Sequence, residues 1–193
     1  MRFVLGICAA LLVASCGASQ ASPVAADPST ATGSSATQSP ASSPAASVGL
    51  WDLSQRKDEL TGDVSQMAML TATSGESSLG KPIRAVARCK NGTTDFYILW
   101  GDYLGNDDRV SVQTKVDDGA IEDASWGNST TNDTTFFPDG GTIGKPVDFL
   151  KGMFGHDKLV TRTTPYSATV LTAVFTITGV ENAVSDLRKA CGW

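Results

Sequence analysis

Over much of this chain, apolar residues fall on every second position. Ile83, Ala85, Ala87 and Cys89 share one face of a run whose other face carries Arg84, Val86 and Arg88. Val110, Val112, Thr114 and Val116 alternate with Arg109, Ser111, Gln113 and Lys115, the pattern of a strand with one face in a core and the other in water. Phe96, Ile98 and Trp100 alternate with Tyr97 and Leu99, so this strand is expected to be covered on both faces. Leu171, Ala173, Phe175 and Ile177 alternate with Val170, Thr172, Val174 and Thr176 in a late, β-branched strand. Val64 to Thr73 and Leu159 to Thr163 are further strand candidates. Gly105-Asn106-Asp107-Asp108 and Asp117-Asp118-Gly119 carry turn chemistry, because short Asn and Asp side chains bond to the local backbone and glycine accepts positive φ.

The period changes twice. Pro146 to Phe154 reads as a short helix with proline near its first position, where the missing N–H would have no partner anyway. Val180, Ala183, Val184, Leu187, Ala190 and Cys191 recur at helical spacing, giving a C-terminal helix with Cys191 on its buried face. The expected fold class is mainly β (α+β): an antiparallel β-sandwich or barrel-like domain with one short internal helix and a C-terminal helix.

The first 47 residues follow neither pattern. Arg2 and the apolar run Phe3 to Val13 have the form of a signal peptide over residues 1–15. The run is shorter than the ~20 apolar residues that cross a bilayer. Leu12-Val13-Ala14-Ser15-Cys16 resembles a bacterial lipobox, which would make Cys16 the lipidated first residue of the mature chain. Ordinary cleavage near Ala18 or Ala21 is the alternative. Gly17 follows Cys16, and no aspartate of the kind linked to inner-membrane retention in enteric bacteria, so the outer membrane is mildly preferred. Residues 16–47 then form a tether: Gly17 to Ser47 is almost wholly Ser, Ala, Thr, Gly and Pro, with Asp27 its one charge and no aromatic residue. Such a composition buries too little apolar surface to offset its ordering entropy. Residues 48–193 remain as one domain of ordinary size.

Setting aside Arg2 and Asp27, the domain keeps the chain's net charge of −5. An acidic balance excludes nucleic acid as a natural partner and argues against electrostatic docking on anionic lipid. Cys89 and Cys191 are the cysteines of the domain, and an even pair in an exported chain reads as a disulfide. It would staple the C-terminal helix to the strand bearing Cys89. Two thiols and the single His156 are too few for a zinc site.

Several segments together resemble one family. They are Trp51, Lys57-Asp-Glu-Leu-Thr61, Arg88-Cys89, Asn91-Gly-Thr-Thr-Asp-Phe-Tyr-Ile-Leu-Trp100, Lys115-Val-Asp-Asp-Gly119, Ser125-Trp126 and Phe149-Leu150. Phe175-Thr-Ile-Thr-Gly-Val180 running into Ala190-Cys-Gly-Trp193 is the most specific part. In this order they resemble the type VI secretion system-associated VasI family of exported accessory proteins, over Trp51 to Trp193. Lys115 stands where the resemblance leads us to expect arginine; lysine keeps the charge and loses the planar fork.

Candidate chemistry is sparse. His156 in Phe154-Gly-His-Asp-Lys158 is a general base only if a carboxylate such as Asp157 orients it, and no Gly-x-Ser-x-Gly elbow accompanies it. Asp107-Asp108, Asp117-Asp118 and Glu122-Asp123 offer paired carboxylates or calcium ligands, but equally the ordinary residues of turns. Trp126, in the polar stretch Asp123 to Ser129, and Trp51 are the candidate partner contacts; core packing is the competing account. The reading is therefore a non-enzymatic, lipid-anchored, periplasm-facing protein of the cell envelope. It binds another envelope protein as an accessory to type VI secretion, with no cofactor or metal. The alternatives are a lysozyme-inhibitor-like lipoprotein and, behind it, an envelope glycosidase or amidase.

Overall fold

The structure is a computed structural model that describes residues 46–140, 144–166 and 169–193. The expected signal peptide, Cys16 and the expected tether up to residue 45 lie outside the described residues. The elements are β1 (Ala46–Val48), β2 (Trp51–Lys57), β3 (Val64–Glu76), β4 (Pro82–Lys90), β5 (Thr93–Leu99), β6 (Arg109–Val116), β7 (Glu122–Asn128), β8 (Thr134–Phe136), α1 (Pro146–Gly152), β9 (Lys158–Thr163), β10 (Leu171–Thr176), α2 (Val180–Ala183) and α3 (Ser185–Cys191).

Eight antiparallel strands close into a barrel in the order β3-β10-β9-β6-β7-β8-β5-β4, and β4 pairs back onto β3. Of the two architectures left open by the alternation, the barrel is the one formed. Closure depends on the length of β3. Its residues Ser65 to Thr71 pair with Arg84 to Lys90 of β4 on one edge. On the other edge Val64 to Leu70 pair with β2, and Ser74 then pairs with Val174 of β10. One strand thus serves two successive neighbours along a single edge. The register shifts between Thr71 and Glu76, where Gly75 has φ +98° and a Cβ would sit 2.1 Å from the Thr172 carbonyl oxygen. Only glycine brings the backbones that close.

The strands and helices expected from alternation and helical spacing are present. β2, β7 and β8 are additions: β7 turns Ala124 and Trp126 inward between polar residues, too few apolar positions for alternation to register. β1 starts at Ala46, inside the span assigned to the tether, because Ala46 to Val48 adds to the edge of β2. Such pairing uses main-chain hydrogen bonds and needs no apolar sequence. The C-terminal helix is two short helices, with fully buried Val184 (φ −91°, ψ 6°) ending one and preceding the next.

Inward residues fill the barrel. Trp51, Trp100, Trp126, Phe96, Phe175, Leu70, Ile83 and Ile98 are among the fully buried side chains. Trp100 donates its indole N–H to Thr135 Oγ1 at 2.9 Å. Phe149 of α1 packs among Phe96, Phe137 and Trp126, with ring centroids 5.1, 4.6 and 6.2 Å away, so the internal helix caps one end of the core.

The crossing at Gly75 generates a prediction. Gly75→Ala combines a backbone clash with a disfavoured φ and is expected to cost more than ~2 kcal/mol. Gly92→Ala, at a φ of +75° but with open space around it, should cost about 1 kcal/mol. Urea midpoints of the two variants should separate in that order.

Candidate functional site

The end of the barrel beneath α1 and α3 carries the most specific sequence features, and local geometry explains them. Gly192 ends α3 at φ 74°, ψ 39°. The Arg188 carbonyl accepts from the backbone N–H groups of Gly192 at 2.8 Å and Trp193 at 3.2 Å, which turns the chain back on itself. Trp193 then reaches β5, donating its indole N–H to Thr94 Oγ1 at 2.8 Å. The Arg188 guanidinium lies 5.5 Å from the ring centroids of both Phe154 and Trp193, and Lys151 Nζ lies 5.5 Å from the Trp193 ring. Cation–aromatic contacts of this kind add modestly to packing. Cys89 and Cys191 form the expected disulfide, with Cα atoms 5.9 Å apart across 102 residues of sequence. The Cys-Gly-Trp ending is a clasp: cysteine for the bond, glycine for the left-handed turn, tryptophan for the return contact.

His156 has a carboxylate partner, but not its sequence neighbour. Its Nδ1 is 2.8 Å from Asp117 Oδ2, while Asp157 accepts a hydrogen bond from Thr178 Oγ1 at 2.9 Å. Asp117 sits at φ 45° in the turn after β6, and its carboxylate also accepts from the backbone N–H of Lys158 at 2.8 Å and of Asp157 at 3.3 Å. These contacts tie the β6–β7 turn to the start of β9. The His156 hydrogen bond, with those from the Lys158 and Asp157 backbone, holds the Asp117 carboxyl below its ordinary value of 3.8. Both side chains are more than a third exposed, and the contacts of the carboxylate are those of a structural tie.

The remaining acidic pairs do not converge. Asp123 accepts from Ser111 Oγ at 2.8 Å and Gln113 Nε2 at 3.1 Å on the outside of β6, and those bonds, Ser111 first, lower its pKa. Asp107 and Asp108 precede β6 at the opposite end of the barrel. Among the described residues no three His, Cys, Asp or Glu gather as a metal would require. Lys115 lines a cavity of about 330 Å³ between β6, β7 and α1, with Glu122, Asp148 and Phe149.

The expectation for the two tryptophans is corrected. Trp51 is 0 % and Trp126 1 % exposed; both point into the core, so neither offers a surface contact to a partner. Trp126 appeared to stand in a polar loop because β7 pairs Ser and Asp outward with only Ala124 and Trp126 inward. The Trp51 indole N–H meets no acceptor among the described residues. Sequence reasoning also missed the working role of Asp117, whose one signal is an aspartate placed before Gly119 in a turn. It missed, too, that the outward face of β5 is only partly covered by the described residues: Tyr97, Leu99 and, beside them, Phe136 are half-buried rather than enclosed.

A family model described as "Type VI secretion system VasI, EvfG, VC_A0118" matches residues 19–193. No curated protein matches the chain, and no solved structure does.

Two outcomes follow from the clasp and the tie. Replacing Cys89 and Cys191 together by alanine should lower unfolding free energy by about 2–4 kcal/mol, measured by urea denaturation under oxidising conditions. Asp117 has a depressed folded pKa, so its contribution is complete above 3.8 and is lost as pH falls through the lower folded value. Between pH 6 and pH 3 the wild-type chain should therefore lose more stability than Asp117→Asn, read from the shift in urea midpoint.

Proposed function

This chain belongs to the VasI family of type VI secretion, and from that premise we propose that it is a cell-envelope accessory protein acting by protein binding, without catalysis. In this reading Cys16 carries the lipid anchor, with the outer membrane preferred, and residues 17–45 hold the domain away from the bilayer.

The observation that carries the reading is the filled interior. An eight-stranded barrel has room for packed side chains or for one small ligand. Here Trp51, Trp100, Trp126, Phe96 and Phe175 occupy it, each at most 1 % exposed. What remains for function is the outer surface: the wall, the loops and the cavity beside Lys115 between β6, β7 and α1. No helix of the described residues is long and apolar enough to cross a membrane; in this reading the attachment is a lipid carried on Cys16. Each buried acyl CH₂ contributes about 0.8 kcal/mol, and more than one chain is needed for stable anchoring.

Cys16→Ser should move the full-length protein out of the membrane fraction and abolish its labelling by radioactive palmitate. Unchanged fractionation and labelling would sink the anchor. A deletion strain should lose type VI-dependent secretion and recover it with the wild-type gene.

A further inference from the structure

The barrel wall carries an apolar row on its outside. Cross-strand register aligns Asp52 with Met69, Met69 with Val86, Val86 with Tyr97, Tyr97 with Phe136, Phe136 with Gly127, and Gly127 with Arg109. The aligned positions cross seven strands, from β2 to β6, and the apolar side chains among them lie on four, β3, β4, β5 and β8. Its side chains point away from the core: Ile83, Ala85, Ala87 and Cys89 of β4 belong to the core cluster, and Val86 between them does not. Val86 is nevertheless only 3 % exposed, flanked by Met69 on one strand and Tyr97 on the other. The Tyr97 and Phe136 rings lie 5.0 Å apart. Met67 and Leu99 flank the row, through the pairs Met67 with Arg88 and Leu99 with Arg84. At Gly127 the row has no side chain, and the flank of Phe136 is left open.

The rim of this face is cationic in an acidic protein. Four of the domain's six arginines, Arg56, Arg84, Arg88 and Arg109, lie on it, against Asp52 and Asp95, while the chain as a whole has net charge −5. Arg88 is held in place by Asp95 at 2.6 Å and lies 5.5 Å from the Tyr97 ring centroid, so its ordering entropy is already lost before binding. Aromatic residues, methionine and arginine are the side chains enriched where proteins meet, and lysine is depleted there.

We propose that the outer wall of β3, β4, β5 and β8, centred on Met69, Val86, Tyr97 and Phe136, docks a protein partner that presents apolar side chains flanked by carboxylates. The inference rests on the binding role proposed above and names the face and the chemistry of its partner. Charge complementarity selects the occupant: carboxylates opposite Arg56, Arg84 and Arg109 are attracted, and a basic surface is repelled. The chain's own segment 17–47 is a poor occupant, with Asp27 its one carboxylate and no aromatic residue. A bilayer is also poorly matched, since the apolar side chains lie flat on a sheet and the chain's net charge opposes an anionic leaflet.

The test uses the full-length chain in its own cells. A benzophenone side chain is placed at Phe136, at Met69, or, as a control on β10 outside the proposed face, at Thr172, and adducts are mapped by mass spectrometry. Adducts from Phe136 and Met69, and none from Thr172, are expected on a protein segment with Asp or Glu beside apolar residues. The double variant Arg84→Glu/Arg109→Glu should reduce their yield at least tenfold, and reversing the partner's carboxylates to lysine should restore it. An unchanged melting temperature and an intact disulfide on non-reducing gels show that this variant, whose changes lie outside the core, is folded. Adducts to lipid, to a second copy of this chain, or to a segment without carboxylates would overturn the proposal, as would a yield insensitive to the charge reversal. Adducts from Thr172 alone would overturn the choice of face while leaving a binding role standing; no protein adduct from any of the three positions would overturn both.

Discussion

β3 is the strand on which the closed wall depends. A sheet becomes a barrel only when its last strand finds its first, and here the meeting is made along one long strand that serves β4 on one edge and both β2 and β10 on the other. The exchange from β2 to β10 requires a bend, and the bend occurs at Gly75, where the Thr172 carbonyl takes the space of a Cβ. Closure removes the open edges of the eight barrel strands, which would otherwise recruit another chain, and leaves the short β1 as the edge strand among the described strands. It also enforces a strict inside and outside, so each inward position must be filled and each outward position becomes available to partners.

Closure alone leaves the ends of the barrel open to water, and the two ends are treated differently. The end with the β3–β4, β5–β6 and β7–β8 connections is dressed with polar loops, in which Asp102 accepts hydrogen bonds from the Ser78 backbone and hydroxyl. The other end is covered by α1 and by α2 and α3. α3 has only seven residues, too short to be stable on its own propensity. The Cys89–Cys191 bond, the Trp193 contact with Thr94 and the packing of Arg188 between two rings hold it against the wall. Local helical preference and tertiary tethering therefore divide the work, and the tether dominates.

This division explains what could be read in advance. Long alternating runs such as Arg109 to Val116 gave their strands and faces, because one face meets a continuous core. The paired cysteines were legible from the expected export and from their number, and the helical stripe ending at Cys191 indicated where they meet. β7 was hidden because only Ala124 and Trp126 face inward along it, and a tryptophan among Ser, Asp and Gly looks exposed when its strand is unseen. The link between His156 and Asp117 depends on the β6–β7 turn lying beside the start of β9, a juxtaposition made by the barrel and by no local pattern.

The alternation through Phe96 to Trp100 was informative in a way that differs from its first meaning. Apolar residues on both sides of a strand imply cover on both sides, and the core supplies cover on only one. Leaving Tyr97, Leu99, Phe136, Met67 and Met69 in partial contact with water forgoes the roughly 25 cal/mol per Å² that burial would return. No described element recovers it. Arginines gathered around the same strands keep such a surface soluble while it is vacant. They also give an approaching chain a preferred charge and orientation, so the features that make this wall tolerable in isolation are the ones that make it selective.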